Sequence, residues 1–151
     1  MDSDSERIAA ALVTVIQREN KRAQGDVVHL AYLHGTRACG RADQESDIDI
    51  GILAAPSLDK GERFKLRIRL MRALADTLHE YLEKIDLIIL QDVPVLLQFN
   101  VVRKGILLFG RTRQEKIEYE LQVEREYDDE RYYLQREADI TINRILSRPA
   151  A

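Results

Sequence analysis

Two aspartates, Asp47 and Asp49, stand two positions apart in an apolar segment and are suited to bind a cation together. Side chains alternate between the two faces of a β-strand, so residues two apart share a face. Neighbouring carboxylates repel each other unless a cation lies between them. The Gly35-Thr36 dipeptide precedes this pair and offers backbone N–H groups and a hydroxyl, which suit phosphate oxygens. The pattern predicts a site for a metal-bound nucleoside triphosphate.

A third carboxylate, Asp86, lies inside the apolar run KIDLIIL, where an unpaired charge costs stability. If its strand neighbours the strand of Asp47 and Asp49, Asp86 reaches the same end of the sheet. Hard oxygen ligands suit Mg²⁺ or Mn²⁺, which bind a few carboxylates together with substrate phosphates. We therefore expect the three acids to hold divalent ions. Asp86 is also a candidate base toward an incoming hydroxyl.

Each of the polar residues around these acids has two interpretations. Arg37 and Arg41 either bind phosphate or are ordinary loop arginines. Ser46 is a candidate residue of the nucleotide-binding site, where it either orients the acid that follows it or caps a turn. His34 fits a packed or partly exposed histidine better than a catalyst. Lys84 likewise fits a solvated lysine at a strand end better than a phosphate ligand.

Composition describes an ordinary globular chain of 151 residues, 45% hydrophobic and 32% charged, with net charge −3. This length predicts one domain with a substantial core.

The acidic balance disfavours direct nucleic-acid binding, and the apolar runs are too short to span a membrane. The polar N-terminus is unlike a signal peptide. A single cysteine, Cys39, excludes an internal disulfide and suits the cytoplasm, which is the expected location.

Hydrophobic periodicity predicts the elements that position the candidate site. We expect helices over about 5–22, 59–82, 93–103 and 112–146, and strands over about 27–33, 47–53, 84–90 and 105–110. A Ser3-x-x-Glu6 capping box should start the first helix. The stretch 35–40 is expected to be a turn, with or without a short helix, before a polar loop. This order predicts an α+β fold, a small mixed β-sheet backed by helices, with a long C-terminal helix.

Two helices carry further expectations. The helix over 59–82 should bury a face formed by Phe64, Ile68, Met71, Ala75, Leu78 and Leu82. The C-terminal helix is rich in tyrosine, which either packs on the sheet or forms a surface for a partner. We expect residues 1–110 to form the core and residues 111–151 to form a helical extension that packs on the core or on a partner.

The run LHGTRACGR at 33–41, followed by SDIDIG at 46–51, resembles the Gly-Ser-x10-Asp-x-Asp signature of the DNA polymerase β-type nucleotidyltransferase superfamily. The size is similar to that of the minimal nucleotidyltransferases, in particular the MntA antitoxins paired with HEPN-domain toxins of the HepT type. The resemblance is close over about 26–90 and general over the C-terminal helical part. It implies metal binding by Asp47, Asp49 and Asp86, and triphosphate binding by Gly35 and Thr36.

Two residues depart from the family pattern. Thr36 replaces the usual Ser and keeps the hydroxyl. Cys39 stands where these small enzymes often carry Arg, so a positive charge near the turn is missing. Arg37 or Arg41 would compensate if either reached phosphate.

The resemblance implies an antitoxin-type protein adenylyltransferase. It would use ATP and Mg²⁺, or Mn²⁺, to transfer AMP to a tyrosine hydroxyl of a HepT-like HEPN toxin within a hetero-oligomer. Two alternatives stay open at this point. One is a small-molecule nucleotidyltransferase resembling the aminoglycoside-modifying enzymes. The other is a non-catalytic antitoxin that acts by occlusion.

Overall fold

Four strands form one mixed sheet in the computed structural model, which describes residues 2–40 and 45–149. The strands are β1 (Val28–His34), β2 (Ile48–Ala54), β3 (Ile85–Ile89) and β4 (Ile106–Gly110), in the spatial order β3-β2-β1-β4. β1 pairs antiparallel with β2 and with β4, whereas β2 and β3 are parallel. The predicted small mixed sheet is confirmed, including a parallel step across the segment 47–90.

The helices are α1 (Ser3–Ala23), α2 (Gly35–Ala38), α3 (Lys60–Leu78), α4 (Val95–Lys104) and α5 (Arg113–Leu146). Short 3-10 turns, Leu82–Lys84 and Leu90–Asp92, flank β3. Within the described residues, none of these helices combines the length and the apolar character needed to cross a membrane.

The start of α1 corrects one prediction. Asp2, not Ser3, is the N-cap, and its carboxylate accepts a 2.7 Å hydrogen bond from the Ser5 backbone N–H. The helix already begins at Ser3, so the side chain that reaches the free N–H groups is one residue earlier than the capping-box pattern suggests. The predicted apolar stripe of α1 is confirmed, since Ile8, Leu12, Val15 and Ile16 are fully buried.

The end and the buried face of α3 also differ from the prediction. The helix ends at Leu78 because His79 adopts a left-handed conformation, with φ 55°, and its N–H closes the last turn on Ala75 and Asp76. Leu82 therefore lies outside the helix and is exposed, as is Phe64. The buried stripe follows a steady spacing of four residues along Leu66, Leu70, Leu74 and Leu78, with Ala75 beside it.

Two apolar clusters cover the two faces of the sheet. The larger cluster joins α1 and α3 to the face that carries Ile48, Ile50 and Ile52. The smaller one joins Val101 of α4 and Tyr119 of α5 to the opposite face. Asp49 alternates with the three isoleucines and so lies on the α4 and α5 face. Val101 packs over Gly51 in the middle of that face. Asp49 lies two residues before Gly51 on the same face of β2, nearer the end of the sheet.

Candidate active site

A row of titratable residues crosses three strands at one end of the sheet. Asp49 on β2 is the register partner of His34 on β1 and of Asp86 on β3. Cross-strand partners project from the same face of a sheet, so the three side chains lie next to one another. The structure therefore brings Asp49 and Asp86 together, as the sequence predicted. Asp47 precedes β2 and is exposed beside them.

The electrostatics of this row centre on Asp49, which is partly buried. Burial raises the pKa of Asp49 to about 6, and the negative charges of Asp86 and Asp47 and a hydrogen bond with the Asp86 side chain act in the same direction. Asp86 itself is exposed, although its strand is apolar, because the alternate residues of β3 supply the burial. The sequence suggested Asp86 as the charged residue whose burial costs stability. In the structure the partly buried carboxylate is Asp49, whereas Asp86 is exposed.

The Gly35-Thr36 turn lies directly against Asp49. Gly35 has a φ of +71°, and a Cβ atom at this position would overlap the Asp49 carboxylate. Both the left-handed backbone and the close approach require glycine. The Thr36 side chain is exposed and available to a ligand. The two halves of the sequence motif therefore form one contiguous surface, with carboxylates on one side and a backbone turn on the other.

Arg37, which the sequence offered as a phosphate ligand, is buried and contacts the protein itself. Its Nε donates to the Asp47 carbonyl at 3.2 Å and its Nη2 to the Ser46 carbonyl at 2.8 Å. Its Nη1 forms an ion pair with Asp4 of α1. The guanidinium therefore ties the residues that enter β2 to α1 and fixes where the Asp47 backbone lies. Arg41, the other predicted phosphate ligand, lies outside the described residues.

His34, which the sequence indicated to be a packed or partly exposed histidine, is partly buried and belongs to the polar row. Burial lowers its pKa, and its Nε2 atom is buried without a hydrogen-bond partner in the part of the chain that the structure describes. His34 joins the row through its antiparallel register with Asp49. The residue pattern of one strand alone does not reveal such a register. Lys84, for which the sequence favoured a solvated lysine at a strand end over a phosphate ligand, ends a 3-10 turn before β3 and pairs with Glu80 at 3.6 Å.

The donor set suits a divalent cation that arrives with a nucleotide. Among residues 2–40 and 45–149, no three His, Cys, Asp or Glu side chains are already arranged to hold a metal ion. Burial and the nearby negative charges of Asp86 and Asp47 raise the pKa of Asp49, so a cation bound among these acids would relieve their mutual repulsion. Mg²⁺ commonly binds one or two carboxylates together with substrate phosphates, so a pair of acids with Asp47 nearby fits it.

The fold and the site define a class of protein. Residues 17–114 match the family model described as Polymerase beta, Nucleotidyltransferase, which covers more than half of the chain. The chain belongs to this family. The predicted resemblance and fold class are thereby confirmed.

One curated relative is protein adenylyltransferase MntA from Shewanella oneidensis, 32% identical over 90 residues. The match spans 60% of this chain and 60% of that relative's length.

Solved toxin–antitoxin structures are similar over almost the whole chain. One contains AMP-PNP, with 27% identity, a TM-score of 0.64, and coverage of 92% of this chain and 98% of the other. An MntA–HepT structure has 26% identity and a TM-score of 0.59, covering 93% and 97%. A complex of a tri-AMPylated Shewanella oneidensis HEPN toxin with an MNT antitoxin has 27% identity and a TM-score of 0.53, covering 90% and 99%.

Proposed function

We propose that this chain is an antitoxin-type protein adenylyltransferase, which transfers AMP from ATP to a tyrosine hydroxyl of a HepT-like HEPN toxin and so neutralises it. The observation that carries the proposal is the contact between the Gly35 turn and Asp49, whose register partner is Asp86. It supports a site in which a candidate phosphate-binding turn lies against candidate metal ligands. The relatives with AMP-PNP and with a tri-AMPylated toxin support ATP as the donor and a HEPN protein as the acceptor.

The proposed reaction is a single displacement at phosphorus. The tyrosine oxygen attacks the α-phosphorus of ATP, the bond to pyrophosphate breaks, and Asp86 accepts the hydroxyl proton. Gly35 and Thr36 hold the triphosphate through the turn and the threonine hydroxyl. Mg²⁺ or Mn²⁺, held by Asp47, Asp49 and Asp86, would neutralise phosphate charge and stabilise the leaving pyrophosphate.

We assign Arg37 and Ser46 to positioning. The Arg37 guanidinium is buried and donates to the backbone carbonyls of Ser46 and Asp47. Hydrogen bonds from a charged donor are strong and directional, so these contacts hold the entry of β2 in place. This arrangement supports an indirect effect of Arg37 on the acids, in place of the direct phosphate contact that the sequence suggested.

The partner surface is proposed to lie on the second half of α5. Its first half packs on the domain through buried Tyr119 and Val123, and Tyr127 stacks on Phe99 with ring centroids 3.8 Å apart. Every described residue after Tyr127 is exposed. Large apolar side chains are among them: Tyr132, Tyr133, Leu134, Ile140, Ile142, Ile145 and Leu146. Exposed apolar patches of this kind mark binding surfaces, and we propose that the toxin covers this one.

Intact mass spectrometry tests the proposed function. A HepT-like HEPN protein from the same genome is incubated with this chain, ATP and Mg²⁺, and its mass is compared before and after. We expect a gain of one or more AMP units, lost when the chain carries Asp47→Asn and Asp49→Asn. A stable complex with no mass gain, equally protective with the double variant, would favour occlusion. Transfer to an aminoglycoside alone would favour the small-molecule alternative.

A further inference from the structure

A cavity of about 350 Å³ opens beside the Gly35-Thr36 turn, between the polar row and α4. One wall is His34, Gly35, Thr36 and Cys39. The other wall consists of α4 residues at helical spacing, namely Leu97, Asn100, Val101 and Lys104. Residues three, four and seven apart share one helix face, so α4 presents a single stripe to the cavity. The volume lies within the range of small-molecule pockets.

A positively charged side chain at this cavity would supplement the metal ions in balancing the charge of a triphosphate. A triphosphate placed on the turn lies beside Asp49 and Asp86, which repel it unless positive charge compensates. Arg37 cannot serve in its present position, because it is buried against Asp4 and the carbonyls that precede β2. Cys39 supplies no charge at the place where the resemblance leads one to expect arginine.

Lys104 is the cationic side chain that lines this cavity. It is the last residue of α4 and is exposed. Among the described residues, no carboxylate forms an ion pair with it. Its ammonium is therefore available to a ligand across the cavity from Thr36. A flexible four-carbon stem with a compact charge suits phosphate oxygens.

We propose that Lys104 is a triphosphate-binding residue, and that the cavity between α4 and the Gly35-Thr36 turn is where the phosphates of the nucleotide lie. The inference rests on the proposed function, since it names a further contact to the same substrate. It adds a residue from an element that the Asp-x-Asp signature does not include. It also explains how the site accommodates Cys39, because the missing positive charge comes from α4.

A matched control exists on the same helix. Arg103 precedes Lys104, belongs to the same last turn of α4, and faces the α5 side with Ile117 and Glu120 instead of the cavity. A positive charge at either position stabilises the C-terminal end of the helix. Arg103→Ala therefore reproduces the loss of helix-end charge without removing charge from the cavity, and Lys104→Arg keeps the cavity charge.

Isothermal titration calorimetry with Mg²⁺ and three separate probes, ATP, inorganic tripolyphosphate and adenosine, tests the proposal. Lys104→Ala should weaken ATP and tripolyphosphate binding about tenfold, because a charge-assisted hydrogen bond is lost. Adenosine binding should be unchanged. Lys104→Arg should retain most of the affinity, and Arg103→Ala should bind all three probes like the unmodified chain.

Three results would overturn the inference, and they differ in what they mean for the proposed function. If Lys104→Ala binds ATP as tightly as the unmodified chain, or if Arg103→Ala loses as much affinity, the cavity lysine has no specific role and the proposed function stands. If the unmodified chain binds neither ATP nor tripolyphosphate, the proposed function fails together with the inference.

Discussion

Gly35 lies against Asp49 so closely that a Cβ atom on residue 35 would overlap the Asp49 carboxylate. The turn and the acid are separated along the chain by the residues between α2 and β2, yet they form one contact in the fold. The glycine is also left-handed, with a φ of +71°. A single position therefore determines both the shape of the turn and the space around the acid.

Gly35→Ala is expected to abolish nucleotide transfer and to destabilise the fold, since it adds both strain and overlap. Gly40→Ala separates the two effects, because Gly40 has a similar φ of +70° but nothing within 4 Å of its added Cβ. Gly40→Ala should lower the free energy of unfolding only by the backbone strain, about 1–2 kcal/mol. Gly25→Ala, in open space, should change neither property. Urea unfolding and a transfer assay measure both effects. Full activity of Gly35→Ala would show that the turn does not constrain Asp49.

Asp49→Asn should stabilise the metal-free protein at pH 8 while removing activity. The folded chain raises the pKa of Asp49 to about 6, so it binds this proton more tightly than the unfolded chain does. The stability linked to that proton is present below about pH 4 and is lost as the pH rises through about 6. Asparagine carries no charge, so it avoids the loss. The gain at pH 8 should be about 1–2 kcal/mol after allowance for partial exposure.

The check is urea unfolding in EDTA across the pH range, with Asp129→Asn on the exposed part of α5 as the control. The excess in the free energy of unfolding of Asp49→Asn over the unmodified chain should shrink as the pH falls from 6 to 4. An excess that is the same at both ends of this range would mean that the carboxylate is not electrostatically strained.

Arg37→Ala should lower kcat more than it changes the KM for ATP, because the guanidinium positions the backbone of Ser46 and Asp47. Misplacement of a catalytic group by about 1 Å costs about 10²-fold in rate. Arg7→Ala is the matched control, since Arg7 also pairs with Asp4, at 3.3 Å, but does not contact β2. If Arg37→Ala instead raised KM with kcat unchanged, the arginine would be a phosphate ligand, as the sequence suggested.

Leu134→Asp together with Ile142→Asp should prevent stable association with the HEPN partner while ATP binding is retained. Both residues are exposed on the second half of α5, so the fold should tolerate the change. Loss of two buried apolar side chains from an interface typically costs several kcal/mol, or about 10³-fold in affinity. Phe64→Asp alters an exposed apolar residue on α3 and is the control. Unchanged affinity of the double variant by calorimetry would place the interface elsewhere.

Local sequence patterns predict most of the fold. The strong alternation around Ile48, Ile50 and Ile52 placed β2 correctly, and the apolar run after Lys84 placed β3. The misplaced boundaries depend on details that periodicity does not contain. His79 ends α3 through a left-handed backbone. This helix has two overlapping apolar stripes: the one through Leu66, Leu70 and Leu74 is buried, whereas Phe64 of the other is exposed.

The candidate site was harder to predict because it depends on contacts between strands. The acids themselves follow from residue type and spacing, but the positions of His34 and Arg37 do not. His34 enters the site through register with Asp49. Arg37 does not lie at the expected phosphate position because it pairs with Asp4, which is distant along the chain. Neither relationship is visible until the strands and α1 are assembled.

The most direct test of the account is AMP transfer from radiolabelled ATP to the HEPN partner by Asp86→Asn, compared with Asp76→Asn on α3. Asp86 has no place in the Gly35-to-Asp49 motif and joins the site only through register with Asp49. We predict that Asp86→Asn loses at least ~10²-fold in rate while the control transfers AMP normally. Transfer at the unmodified rate by Asp86→Asn would contradict the assignment of the three acids as one catalytic site.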